Sequence, residues 1–131
     1  MTAEGNETTT RARWIASIGL MGAVAVSAGA FGAHGLEGKV TEARLETWLT
    51  GAHYLMVHTV ALLALVASKG DLGPWRPVLW SWALGSFIFA GSLFVLVLSG
   101  VTWLGAITPI GGVMLILGWL LLAWRGIKSL S

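Results

Sequence analysis

Between Trp14 and Ala33 the chain carries no formal charge. At about 1.5 Å of rise per residue, a helix over that run crosses the roughly 30 Å hydrocarbon core of a bilayer. Uncharged apolar runs recur over Ala52–Ser68, Val78–Ser99 and Trp103–Trp124. Hydrocarbon offers no water to backbone N–H and C=O groups, so each run must satisfy its own, and a helix does this within one segment. The expected fold class is an all-α integral membrane protein: a four-transmembrane-helix bundle with an amphipathic segment between helices 1 and 2.

Composition agrees with a lipid solvent, since 56% of the 131 residues are hydrophobic and 11% charged. Such a chain cannot clothe a globular surface facing water. With no cysteine, disulfides, thiolate nucleophiles and cysteine zinc sites are excluded. The net charge of +2 is small and the basic residues stand at the edges of the apolar runs, which speaks against nucleic acid as a partner. Residues 1–10 are polar and lack apolar periodicity, so a disordered tail is expected there, with residues 11–131 forming the four-helix transmembrane domain.

Spans are expected at 14–33, 52–68, 78–99 and 103–124. A cleavable leader is the rival reading of the first run, because Arg11 and Arg13 precede it and Ala28-Gly29-Ala30 imitates a cleavage site. The run exceeds the usual leader core of about 7–15 residues. It also places Gly22, Ala25, Gly29 and Ala33 on one stripe, where another helix can approach closely. Gly91, Gly111 and Gly112 are candidate packing positions in the later spans.

Thr41-Glu42 reads as a helix start, followed by Leu45, Trp48, Leu49 and Ala52 at i, i+3, i+4, i+7. This segment either lies in the interface or runs directly into the second span, with Gly51 as the bend between the two arrangements. Lys69 to Pro77 holds two prolines, two glycines and three charges and is the clearest loop. Pro109 predicts a kink or a late helix start in the fourth span. Arg11, Arg13, Lys69, Arg76, Arg125 and Lys128 fall on the side of the termini, and Lys39 and Arg44 on the other. That imbalance places both termini in the cytoplasm by the positive-inside rule.

Several local runs, Ala28-Gly29-Ala30-Phe31-Gly32-Ala33-His34-Gly35-Leu36, Tyr54-Leu55-Met56-Val57-His58 with Ala61-Leu62-Leu63, Ala90-Gly91-Ser92-Leu93-Phe94 and Gly105-Ala106-Ile107-Thr108-Pro109-Ile110-Gly111-Gly112 with Gly118-Trp119, occur in that order. They resemble the YgdD-like family of small multi-pass membrane proteins, catalogued as domain of unknown function 423, with transmembrane protein 256 as a eukaryotic relative. The resemblance extends from about Ile15 to Trp124. It implies four helices and a bacterial inner membrane, or a mitochondrial one for the eukaryotic relatives, and it implies no activity. His53 stands where the family more often has glutamine, and Leu55 and Val57 stand at positions often polar or aromatic there.

The candidate polar site is His34, His58, Tyr54 and Thr108. An ionisable group inside a membrane is costly, so a metal site, a proton relay or a bis-imidazole haem site is the functional reading of the two histidines. The structural reading needs less: a neutral imidazole bonded to one backbone carbonyl pins the helix corner near the Thr108-Pro109 break. The spans hold no Asp or Glu, and no Ser-His-Asp set, HExxH or phosphate loop occurs, so no catalytic residue, cofactor or metal is assigned. The expected role is a non-enzymatic scaffold, assembly factor or accessory subunit of a larger membrane complex. The alternative is a small-solute or proton transporter using His58 and the Thr108-Pro109 break. Expected partners are the lipid bilayer and either other membrane subunits or further copies of the chain.

Overall fold

The computed structural model describes residues 2–131. Four helices account for the architecture: α1 (Ala3–Phe31), α2 (Glu42–Ser68), α3 (Arg76–Ser99) and α4 (Thr108–Lys128). All four are long and apolar enough to cross a membrane. They run alternately up and down, so both termini lie at one end, called here the terminal end. Contacts follow chain order: α1 on α2, α2 on α3, α3 on α4. The backbones of α1 and α4 do not meet.

Most boundaries have a local cause. The Thr41 side chain accepts from the Arg44 N–H at 3.2 Å and so starts α2 where the sequence placed a cap. From there α2 continues without a break through Gly51 to Ser68, so the amphipathic segment forms its first turns. Helix α3 ends at Gly100, whose φ of +73° suits the left-handed cap that lets its N–H bond the Leu96 carbonyl. The fourth run divides in two: a short 3₁₀ turn over Thr102–Ala106, then α4, with Pro109 in its first turn. Proline has no N–H to lose there, so the late start replaces the kink. The 21 residues of α4 then reach about 31 Å.

Two segments differ from expectation. Residues 3–10, expected as a disordered tail, are the first turns of α1, which totals 29 residues. Their order comes from polar docking. Glu7 Oε1 accepts the Leu72 N–H at 2.9 Å, and the Arg11 guanidinium donates to the carbonyls of Val66, Lys69 and Gly70. At the far end α1 passes into a π-helical turn over Gly32–Leu36 before the chain reverses at Gly38, where φ is +77°.

The largest core cluster lies toward the terminal end and joins Trp14 and Ile18 of α1, Leu62 and Val66 of α2, Leu79 and Trp82 of α3, and Leu115 of α4. A second cluster at the far end gathers Ala28, Leu36, Trp48 and Val97. Between α3 and α4 the packing is tightest. A Cβ on Gly111 would stand 2.8 Å from the Gly85 carbonyl oxygen, and one on Gly118 would collide with the Trp82 indole. Small residues here bring two backbones together, the main source of helix association in lipid.

Candidate functional site

Of the four polar candidates, His58 is buried and the centre of a network. Four residues before it, Tyr54 offers a carbonyl one helical turn away, and His58 Nδ1 donates to that oxygen at 2.7 Å. A carbonyl only accepts, so Nδ1 carries the hydrogen and Nε2 keeps a lone pair. That lone pair accepts the Trp119 Nε1–H from α4 at 3.0 Å. Both ring nitrogens are therefore engaged in the neutral tautomer, and a metal would have to displace Trp119. Aromatic rings enclose the imidazole: Tyr54 stacks on it, while Trp82 and Trp119 meet it edge-on at centroid distances of 6.3 and 5.9 Å.

Tyr54 itself is 45% exposed and contributes its ring and carbonyl. Thr108 belongs elsewhere. Its hydroxyl pairs with Ser92 Oγ at 2.7 Å, joining the start of α4 to α3. Trp119 lies eleven residues further along α4, so the His58 bond and the Thr108 bond are separated by about 16 Å of helix. His34 is exposed on the π-helical turn, and His53 is exposed as well. The expected convergence of His34, His58 and Thr108 at one corner does not occur.

Trp48 occupies the corner instead. Its indole N–H donates to the Ala28 carbonyl at 2.7 Å, and its ring packs between Phe31 and Phe94. The π-helical turn begins where a side chain would strike this indole: a Cβ on Gly32 would lie 2.7 Å from Trp48 Cδ1. The small-residue stripe of α1 is correspondingly shifted. Gly22 and Ala25 face α2, with a Gly22 Cβ position 3.6 Å from Thr59, but contact then passes to Ala28 and Gly32. Gly29 has open space around its Cβ position and Ala33 is exposed. Gly91 also faces open space, whereas Gly111 and Gly112 pack on Phe89.

Two interior groups lack a hydrogen-bond partner among the described residues, Trp82 Nε1 and Ser86 Oγ. At the terminal end, Lys69 Nζ sits 4.4 Å above the Trp75 ring and the Arg125 guanidinium 5.7 Å from the same ring, tying the loop to α4. Among the described residues no three His, Asp or Glu side chains gather closely enough to hold a metal ion. Sequence reasoning does not single out either tryptophan: Trp48 reads as one position of the apolar stripe that opens α2, and Trp119 only as part of the Gly118-Trp119 run. Their N–H groups, which need partners when buried, were the usable signal.

These features define a four-span membrane protein whose polar contacts inside the spans tie its helices to one another. The chain belongs to the DUF423 family, described as proteins of unknown function, whose pattern matches residues 28–112. It is 41% identical over 110 residues to the UPF0382 membrane protein YwdK of Bacillus subtilis strain 168, covering 82% of this chain and 89% of that one. It is 44% identical over 108 residues to the UPF0382 membrane protein SERP0230 of Staphylococcus epidermidis, covering 80% and 87%. A UPF0382 membrane protein of Haemophilus influenzae is 38% identical over 121 residues, covering 91% and 97%. No solved structure matches the chain.

Proposed function

We propose that this protein is a non-enzymatic scaffold or accessory subunit of a larger complex in the cell inner membrane, with both termini cytoplasmic. The observation that carries this reading is the one-sided packing of the outer helices. Helix α1 touches α2 along one stripe, and Gly19 and Gly29 on its other sides have nothing within 4 Å of a Cβ position. Helix α4 buries Gly111, Leu115 and Gly118 against α3 and exposes Ile110, Val113, Leu117, Leu120 and Trp124. Glycines on an open face let a partner helix approach closely, where dispersion and weak Cα–H contacts reward contact in lipid. The engaged ring of His58 and its separation from Thr108 support a structural use of both residues.

Purification of the full chain from membranes in mild detergent tests the role. Stoichiometric recovery with other membrane subunits is expected. A lone oligomer that gives solute-dependent flux in liposomes overturns the reading in favour of transport. For orientation, reporters fused after Ser131 and within Gly35–Val40 should report cytoplasm and exterior respectively. A C-terminal reporter active only outside the cytoplasm would reverse the topology.

A further inference from the structure

Because the α1 backbone packs closely on α2 and reaches α3 only through side chains, a cleft runs between α1 and α3. Its terminal end is a cavity of about 540 Å³ walled by Arg13, Trp14 and Ser17 of α1 and by Arg76 and Trp80 of α3. Next to it lies a second cavity of about 400 Å³, walled by Leu20, Val24, Ser86, Ala90, Gly91 and Phe94. Met21 and Ala83 belong to both walls, so the two form one continuous groove. Its chemistry changes along its length. Two guanidinium groups stand where the apolar runs begin, and beyond them the wall is hydrocarbon.

We propose that this groove binds an anionic phospholipid, with the phosphate at Arg13 and Arg76 and an acyl chain between α1 and α3. Three observations on the groove support that occupant. First, its walls include two arginines and no carboxylate, which complements a negative headgroup. Arg11, two residues before Arg13, is held by loop carbonyls, whereas Arg13 faces the groove. Second, Trp14 and Trp80 meet edge-to-face at 5.1 Å beside the arginines, at the depth where indoles mark the border between headgroups and hydrocarbon. Third, a cleft open to the bilayer with a hydrocarbon wall cannot hold water favourably, and a lipid chain fills it without losing hydrogen bonds. Gly91 leaves part of this space open, since nothing lies within 4 Å of its Cβ position.

The test compares lipids on the full-length protein in mild detergent, read as thermal stabilisation and as retained lipid in native mass spectrometry. Phosphatidylglycerol should stabilise and remain bound, and phosphatidylcholine with the same chains should do so much less. Glycerol phosphate and inorganic phosphate should have no effect, because they lack the chain. Each surface-lying arginine is worth roughly a fivefold preference for anionic lipid, so Arg13→Gln with Arg76→Gln should reduce the preference roughly thirtyfold. Arg125→Gln, outside the groove, should leave it unchanged. Gly91→Leu, which projects a side chain into free space in the groove, should lower retention of both lipids while the unliganded protein melts as before. Equal retention of the two phospholipids by the native protein, or an anionic preference that survives the double arginine change, overturns the proposal. So does a dimer that Gly91→Leu dissociates, since a second copy would then be the occupant.

Discussion

His58 is held by one bond to its own helix and one to α4, and the two can be separated by substitution. His58→Ala removes both and should destabilise the protein by about 1 kcal/mol, the scale of an intramembrane hydrogen bond. His58→Gln retains a donor and an acceptor and should recover most of that loss. A double-mutant cycle with Trp119→Phe, read by denaturant titration in detergent, should give a coupling of about 0.6–1.7 kcal/mol. Purified protein that carries stoichiometric metal or haem, lost in His58→Gln without any change in stability, would make His58 a ligand instead. Trp48 allows a parallel measurement. Trp48→Phe preserves an aromatic ring beside Phe31 and Phe94 but removes the indole N–H from the Ala28 carbonyl, which keeps only its bond from the Gly32 N–H, and should also cost about 1 kcal/mol.

Among the elements, glycines separate into those that carry a helix contact and those that do not. Gly111→Ala sets a methyl group against the Phe89 backbone and should destabilise the α3–α4 pair by about 1–3 kcal/mol. Gly29→Ala meets open space in a helix and should be neutral or stabilising by up to about 1 kcal/mol. Equal effects of the two in unfolding experiments would contradict this packing. Helix α1 offers a third case. Arg11→Gln removes the guanidinium from the carbonyls of Lys69 and Gly70, so amide exchange over residues 3–10 should quicken while the rest of α1 stays protected. The element boundaries were largely legible because their causes are local: Thr41 caps, Gly100 turns, Pro109 begins a helix. The partners of each face were not. In lipid both the buried and the exposed side of a helix are apolar, so periodicity does not say which stripe meets a neighbour, and the α1 contact passes from Ala25 to Ala28 and Gly32 instead of to Gly29. The polar start of α1 was illegible for a related reason, since Glu7 and Arg11 find their partners more than fifty residues away.

For the whole molecule, chain-ordered packing predicts that it tolerates division. Separate expression of residues 1–72 and 73–131 in one cell should give halves that copurify, held by the α2–α3 contact and by the His58–Trp119 bond. Failure to copurify when each half is inserted would count against that arrangement. The same ordering bears on how the protein is made. Each helix meets its first neighbour as soon as that neighbour has been synthesised, so α1 can settle on α2 before α3 has left the ribosome, and no early helix must wait for the last. The bond from Trp119 to His58 joins helices that are not consecutive, and it can close only when α4 arrives. Closing it completes the bundle, because the fourth helix then holds the second directly as well as packing on the third.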